Sequence, residues 1–144
     1  MRLTTFTDYT LRVLMYLAVD PGRLATIPEI AAAYGISENH LMKVAYQLVQ
    51  AGLVESIRGK GGGVRLAQRP QDIRLGQVIR ASEGSAAIVE CLASEGACRI
   101  TPACRLAGIL ADAFEAWYAH LDAYTLDDLV IHRKTLRRLL AVPS

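Results

Sequence analysis

The sequence lacks the features of a membrane or exported protein. It contains no run of eighteen uninterrupted apolar residues, although 52% of its 144 residues are hydrophobic, so we expect no membrane-spanning helix. The N-terminal stretch MRLTTFTDYTLR interleaves its charges with apolar positions. It has neither the apolar segment nor the cleavage site of a signal peptide. These absences predict a cytoplasmic protein, in which thiols stay reduced.

A recognisable catalytic arrangement is also missing. The three histidines, His40, His120 and His132, fall in separate predicted elements, and none has a serine, aspartate or cysteine partner at an obvious spacing. The glycine-rich stretch GKGGG lacks the strand-to-helix context that a phosphate-binding loop requires. We therefore do not expect an enzyme.

Cysteine is scarce, and its three copies, Cys91, Cys98 and Cys104, lie close together. An odd number of thiols cannot pair completely as disulfides within one chain. The intervals of six and five residues are wider than the CxxC spacing of ordinary zinc sites, whereas thiolates are the usual ligands of iron-sulfur clusters. The segment therefore predicts a metal or redox centre with a further ligand from elsewhere in the chain or from a partner.

Three helices are predicted at the start of the chain. Apolar periodicity indicates a first helix that is capped by Thr7 and stops at Pro21, and a short second helix over residues 26–35. A longer amphipathic helix follows Ser37 and ends at Gly52. Two helices joined by a tight glycine turn are typical of a helix-turn-helix.

A β-hairpin is predicted directly after these helices. Short apolar runs at residues 53–57 and 64–66 are compatible with paired strands, and RGKGGG lies between them. Such a hairpin is the wing of a winged helix-turn-helix. The predicted fold class is therefore mainly α with a small β-hairpin wing, followed by a long dimerisation helix.

Positive charge is concentrated in the first part of the chain. Residues 1–80 carry ten Lys or Arg against six Asp or Glu, whereas residues 81–144 carry six against eight. The first part is thus the candidate for binding a polyanion. The second helix of a helix-turn-helix reaches base edges with its N-terminal residues, and wing cations meet phosphates or the minor groove. The predicted DNA-binding residues are Ser37, Asn39, His40, Lys43, Arg58, Lys60, Gly61 and Arg65.

A long helix is predicted from Pro102 to about Ala123, since proline is tolerated in a first turn. Its apolar positions exceed what a small winged domain buries, so we expect a second copy of the helix to cover them. The predicted interface residues are Leu106, Ile109, Leu110, Ala113, Phe114, Trp117 and Leu121.

These elements divide the chain into three parts. Residues 1–82 are expected to form the winged helix-turn-helix domain, and residues 83–105 a linker and the cysteine loop. Residues 102–144 are expected to form the dimerisation helix and a C-terminal segment, with a short helix over residues 126–130 and a basic, partly ordered tail.

Three stretches together resemble the Rrf-type winged-helix repressors. They are LTTFTDYTLRVLMYLA, ISENHLMKVAYQLVQAGLVESIRGKGGGVRLA and ITPACRL at the end of the cysteine run. The resemblance extends to Leu129 at least and is strongest to nitric-oxide-sensing members. It implies a homodimer that binds palindromic promoter DNA, carries a [2Fe-2S] or [4Fe-4S] cluster and releases DNA when nitric oxide damages that cluster.

The same resemblance implies the ligands of the cluster. Cys91, Cys98 and Cys104 match the cysteine ligands, and the FTDY motif places Asp8 where such proteins supply an oxygen ligand to the cluster of the other subunit. The position of Asp8 alone favours a different role, in which its carboxylate complements the N-terminal end of the first helix.

Two alternatives remain open. In one, a winged-helix regulator uses its three thiols as a zinc or thiol-oxidation switch, without a cluster. In the other, the chain is an interaction module that has lost DNA binding. The visible absorbance of anaerobically purified protein separates the first alternative from the cluster, and a salt-dependent DNA shift assay tests the second.

Overall fold

Seven α-helices and one β-hairpin make up residues 2–84 and 98–144, which are the residues that the computed structural model describes. The helices are α1 (Thr5–Val19), α2 (Ile27–Tyr34), α3 (Glu38–Gln50), α4 (Leu75–Glu83), α5 (Leu106–Asp122), α6 (Leu126–Leu129) and α7 (Arg133–Leu139); the strands are β1 (Val54–Ile57) and β2 (Gly63–Leu66). The predicted fold class, mainly α with a small hairpin, is confirmed. Among these residues, no helix is both long enough and apolar enough to cross a membrane.

The core lies where α1 crosses α3 and α4. Thirteen-residue α3 buries the side of the helix that carries Leu41, Val44 and Leu48, and α1 contributes Leu14 and Leu17 to the same core. Burying a side chain of this size contributes roughly 1.5–3 kcal/mol, so this packing holds the helix-turn-helix together.

The start of α1 differs from the prediction. Thr4 is the cap, because its Oγ1 accepts a hydrogen bond from the Thr7 N–H at 3.2 Å. Thr7 is fully buried inside the helix, so its assignment as the cap is wrong. Glu83, the last residue of α4, accepts hydrogen bonds from the Thr4 N–H at 2.8 Å and from the Thr4 hydroxyl at 3.1 Å. The start of α1 and the end of α4 are therefore tied together.

A half-buried polar network fixes α2 against α1. Glu29 Oε1 accepts hydrogen bonds from the Tyr16 hydroxyl and the Arg23 guanidinium, both at 2.6 Å. Glu29 also closes a capping box with Thr26 at the start of α2, an arrangement that satisfies two backbone donors. Burial alone would raise the pKa of Glu29, but the hydrogen bonds from Arg23 and Tyr16 lower it on balance.

This lowered pKa predicts an acid-sensitive contribution to stability. The contribution is present above the unfolded-state pKa of a glutamate, about 4.3, and is lost as the pH falls through the lower folded-state pKa of Glu29. We expect the free energy of unfolding of Glu29→Gln to depend less on pH below about 5 than that of the wild type. Urea titrations between about pH 3 and pH 7 measure the difference. If the free energy of unfolding depended equally on pH in both proteins, the role given to Glu29 would be wrong.

The C-terminal segment returns to the winged domain. Leu126 and Val130 are fully buried, and Val142 is nearly so. Arg137 in α7 donates to Asp20 at the end of α1 at 2.8 Å. The short helix predicted over residues 126–130 is observed as α6. The expectation of a partly ordered tail after it is wrong, because α7 forms there and Leu136, Leu140 and Val142 pack on the core.

Candidate nucleic-acid interface and metal centre

The helix-turn-helix presents one side of α3 to solvent. Gly35 adopts a left-handed backbone conformation, with φ of 65°, and reverses the chain after α2, as glycine does without strain. Ser37 occupies the cap position of α3, although its hydroxyl makes no capping hydrogen bond. The exposed residues of the turn and the first turns of α3 include four predicted DNA contacts, Ser37, Asn39, His40 and Lys43. This is the geometry of a recognition helix.

The first turns of α1 contact both helices of the helix-turn-helix. The ring centroids of Tyr9 and His40 are 6.1 Å apart, which joins α1 to the recognition helix. The guanidinium of Arg12 lies 5.7 Å from the centroid of the Tyr34 ring in α2 and pairs with the Asp8 carboxylate at 3.0 Å. Sequence reasoning missed the two contacts between helices, since no local pattern marks them; the pair of Asp8 and Arg12 has the i,i+4 spacing of a helical ion pair.

The wing is a tight hairpin fixed to the helices. A Cβ on Gly62 would lie 2.2 Å from the Ile57 carbonyl oxygen, so the turn closes only with glycine there. Ala25, just before α2, exchanges backbone hydrogen bonds of 2.9 and 2.8 Å with Val64 of β2. The tip exposes three of the predicted DNA-binding residues, Arg58, Lys60 and Gly61.

Arg65 differs from the cations of the wing tip. It lies opposite Glu55 in the hairpin register, and its Nε pairs with that carboxylate. Its charge is therefore partly neutralised within the protein, whereas Arg58 and Lys60 form no ion pair among the described residues. We expect Arg65 to contribute less to phosphate binding than Lys60.

Helix α5 packs on α4 through its C-terminal half. A Cβ on Gly76 would lie 2.5 Å from the Tyr118 carbonyl oxygen, so the two helices approach each other closely at that glycine. Arg80 pairs with Glu115 at 2.8 Å, and its guanidinium lies 4.1 Å from the centroid of the Tyr118 ring. The order of these contacts makes the two helices antiparallel, with the N-terminal end of α5 pointing past the end of α4.

None of the 17 residues of α5 is buried. Of the seven predicted interface residues, Leu106, Ile109 and Ala113 are exposed, whereas Leu110, Phe114, Trp117 and Leu121 are half-buried. An apolar helix with no buried side chain is covered by a partner in most soluble proteins. The seven residues thus lie on one helix, and in the part of the chain that the structure describes none of them is fully buried.

Helix α5 begins later than predicted. Residues Thr101–Ala103 form a separate 3-10 turn, and Cys104 then has an extended backbone, with φ of −91° and ψ of 126°. The predicted start at Pro102 is therefore wrong, because the chain leaves the helical conformation before α5 starts at Leu106. Cys104 Sγ accepts a hydrogen bond from the Leu106 N–H at 3.4 Å, so this thiol lies at the N-terminal end of the helix.

The two described thiols have the donor chemistry of a metal centre. Cys98 is exposed, Cys104 is half-buried, and neither is in a disulfide, while Cys91 lies outside the described residues. Thiolates are suitable ligands for iron-sulfur clusters. Within residues 2–84 and 98–144, however, no three His, Cys, Asp or Glu side chains are grouped closely enough to hold a metal. The donor chemistry therefore fits a cluster, and the described part of one chain does not supply a complete ligand set.

Asp8 remains a possible ligand from a second chain. The cap of α1 is Thr4, and Asp8 is the acidic residue in the first turn of that helix, where its charge complements the N-terminal end. The side chain of Asp8 is 48% exposed, and its only ion pair among the described residues is with Arg12. A half-exposed carboxylate can leave such a partner and bind a metal at little cost, since surface ion pairs contribute only about 0–1 kcal/mol to stability.

A recognition helix, a basic wing tip and a long apolar helix define a winged helix-turn-helix DNA-binding regulator. Residues 3–132 match the Rrf2 family, described as iron-dependent transcriptional regulators. The chain belongs to the Rrf2 family. Its members are transcriptional regulators and not enzymes, as the sequence predicted.

Individual relatives agree with this assignment. The HTH-type transcriptional regulator NsrR of Bacillus subtilis (strain 168) is 51% identical over 142 residues, which cover 97% of each chain. NsrR of Geobacillus kaustophilus (strain HTA426) is 49% identical with the same coverage. The predicted resemblance to Rrf-type regulators is therefore confirmed, including its similarity to NsrR.

Solved structures confirm the fold. CymR, the global cysteine regulator of B. subtilis, superimposes with a TM-score of 0.72 at 31% identity and covers 92% of this chain and 98% of its own. IscR of T. potens gives a TM-score of 0.71 at 28% identity, covering 92% and 88%.

Proposed function

We propose that this regulator is a homodimeric repressor that binds promoter DNA and senses nitric oxide through an iron-sulfur cluster. Cys91, Cys98 and Cys104 hold the cluster together with the partner subunit's Asp8. The observation that carries this proposal is the position of Cys98 and Cys104 in the segment that leads into α5, a helix that has no buried residue. The resemblance to nitric-oxide-sensing family members supplies the effector.

The chain's own residues perform the two halves of this function. Asn39, His40 and Lys43 are placed to read base edges, and Arg58 and Lys60 to contact phosphates. A bound cluster would supply iron that nitric oxide attacks, and a carboxylate is a harder, weaker ligand for that iron than a thiolate. Loss of this weak ligand would release the helix that carries Asp8, and Tyr9 on that helix contacts His40. The recognition helix is therefore next to Asp8, the proposed ligand of the cluster.

Dimerisation through α5 would fix the spacing of the two recognition helices. Two recognition helices enter successive major grooves only when they lie about 34 Å apart. The two α5 helices, packed on each other, would hold the two recognition helices at one distance. The bond between Asp8 and the partner's cluster would restrict rotation of the two winged domains about the α5 pair. Damage to the cluster would remove the restriction and lower the affinity for a palindromic site.

Nitric oxide is expected to bleach the protein and release DNA together. Anaerobically purified protein should absorb visible light and bind its promoter, and several equivalents of nitric oxide per cluster should remove both properties. Parallel absorbance and DNA shift titrations test this. Retention of the spectrum and of DNA binding after nitric oxide treatment would contradict the proposal. A colourless protein that binds zinc would favour the thiol or zinc switch instead.

Salt dependence should separate the two wing cations. Each phosphate contact contributes a slope of roughly −0.9 to log affinity against log salt, so Lys60→Ala should make the slope of a dimer shallower by about 1.8. Arg65→Ala is the matched control and should change it less, because Arg65 already pairs with Glu55. His40→Ala should instead change which sequence is preferred. A larger effect from Arg65→Ala than from Lys60→Ala would reverse our assignment.

A further inference from the structure

Two stretches of backbone run side by side where α4 begins and α5 ends. The Leu75 N–H donates to the Tyr124 carbonyl oxygen at 3.0 Å, and the Leu126 N–H donates to the Ile73 carbonyl oxygen at 2.9 Å. Ile73 and Leu126 are buried in the core of the winged domain. These hydrogen bonds attach the C-terminal end of α5 directly to that core. We call this region the α4–α5 junction; it consists of residues 73–76 and 122–126.

Asp122 lies against the first turn of α4. A Cβ on Gly76 would lie 2.3 Å from Asp122 Oδ1, so the carboxylate is next to the backbone of that turn. Within the described residues, Arg74 in the cap position of α4 makes no side-chain capping hydrogen bond, and the first turn contains no acidic residue. The N–H groups at the start of a helix carry partial positive charge, which a nearby carboxylate stabilises. Asp122 thus supplies from α5 the negative charge that the first turn of α4 lacks.

This contact holds α5 at one distance from α4. Asp122 Oδ1 is buried and accepts no hydrogen bond within residues 2–84 and 98–144, and a charge that is shielded from water is screened less in its attraction to the helix start. Closer approach is blocked, because the space of a Gly76 side chain is already filled by Asp122 and by the Tyr118 carbonyl oxygen, 2.5 Å from the same point. Attraction to α4 and contact with the Gly76 backbone therefore define one position of α5 on α4.

The position of α5 on α4 determines the geometry of a dimer that is built on α5. The 17 residues of α5 span about 25 Å at 1.5 Å per residue. A tilt of about 10° at the junction therefore displaces the far end of the helix by about 4 Å. One base pair of DNA advances along the axis by about 3.4 Å and turns by about 35°. A small change at the junction is thus large enough to move a recognition helix out of register with its half-site.

We propose that Asp122 is a positioning residue that sets the half-site spacing recognised by the dimer. The inference rests on the homodimer of the proposed function and adds the residue that fixes the angle between α5 and the winged domain. Asp122 lies at the opposite end of α5 from Cys104, and it belongs to neither the recognition helix nor the wing. Its substitution should therefore change the arrangement of the two winged domains without removing a DNA contact or a proposed cluster ligand.

The preference of the protein for one half-site spacing tests this role. A palindromic site that the wild-type protein selects from random duplexes serves as the probe, together with derivatives that have one base pair added or removed at the centre. We expect the wild type to bind the selected site about tenfold or more tightly than the derivatives. Asp122→Ala should reduce this ratio to about threefold or less, because α5 can then tilt on α4. Its visible absorbance and its dimer dissociation constant, measured by sedimentation velocity, should equal those of the wild type.

Gly76→Ala should shift the preferred spacing, whereas Asp122→Ala broadens it. The added methyl group would lie 2.3 Å from Asp122 Oδ1 and would push α5 away from α4, so one of the derivatives should become the preferred site. Asp122→Asn removes the charge with almost no change of shape, and it should lower the ratio in the same direction as Asp122→Ala. It replaces Gly76→Ala in the comparison if thermal unfolding shows that Gly76→Ala is not folded.

Asp112→Ala is the matched control, because it removes an exposed aspartate from the same helix that forms no ion pair among the described residues. It should keep the wild-type ratio. If Asp122→Ala lost affinity equally for all spacings, or formed a weaker dimer, the inference would be overturned and Asp122 would have a structural role only. If the wild type sediments as a monomer, the homodimer of the proposed function fails. If it is a dimer that binds all spacings equally, only the role of Asp122 fails.

Discussion

Cys104→Ser is expected to abolish the iron-sulfur absorbance and to lower operator affinity about 100-fold or more, towards the non-specific level. A serine hydroxyl is a poor ligand for iron that thiolates hold. It is nevertheless a good acceptor at a helix N-terminus, so it can replace the sulfur that accepts the Leu106 N–H. The free energy of unfolding should therefore change by less than about 1 kcal/mol. The variant should bind DNA as weakly as nitric-oxide-treated wild type.

Thr101→Ser is the matched control in the same turn. Its hydroxyl keeps the hydrogen bond that Thr101 Oγ1 donates to the Cys98 carbonyl oxygen at 2.8 Å, and no thiol is lost. We expect a normal spectrum and normal operator affinity. A normal cluster spectrum in Cys104→Ser would remove Cys104 from the ligand set, and loss of DNA binding in Thr101→Ser would indicate that the turn itself controls affinity.

Local signals in the sequence predicted the helix-turn-helix correctly. The second helix carries a capping box at Thr26 and Glu29 and ends at Gly35 in a left-handed conformation, so both ends are encoded within ten residues. The wing was predictable for the same reason, because its glycines allow only a tight turn. Signals of this kind need no knowledge of the rest of the fold.

The errors arose where several residues could satisfy the same local rule. Thr4, Thr5 and Thr7 can all cap α1. Tertiary contacts bury Thr7 inside the helix, and the hydrogen bond from the Thr7 N–H selects Thr4. Pro102 can open a helix, but the extended backbone at Cys104 ends that turn and a new helix begins. Neither outcome is visible in the periodicity of the chain.

Contacts between distant residues could not be predicted at all. Thr4 and Glu83 are 79 positions apart, and the contact between Tyr9 and His40 joins two helices that do not follow one another in the chain. These contacts tie α1 to the end of α4 and to the recognition helix. They connect α1, which carries the proposed ligand Asp8, to the recognition helix, and the sequence alone did not show this connection.

Asp8→Ala is expected to shorten the lifetime of the cluster and weaken operator binding, each by about tenfold, without destabilising the fold. Removing its exposed ion pair with Arg12 costs at most about 1 kcal/mol. Three thiolates would still assemble the cluster, but its fourth position would be open. The decay of visible absorbance under a chelator, operator affinity and urea unfolding give the three measurements.

Two controls on the same helix separate a ligand from a structural residue. Thr4→Ala removes the cap and should lower the free energy of unfolding by about 1 kcal/mol, with a normal cluster lifetime. Arg12→Ala breaks the same ion pair as Asp8→Ala but keeps the carboxylate, so it too should leave the cluster lifetime unchanged. If Arg12→Ala shortened that lifetime as much as Asp8→Ala does, the ion pair and not iron ligation would be the role of Asp8. If neither variant changed it, the sensor would have no ligand on α1, and the connection from cluster to recognition helix would have to run through α5 alone.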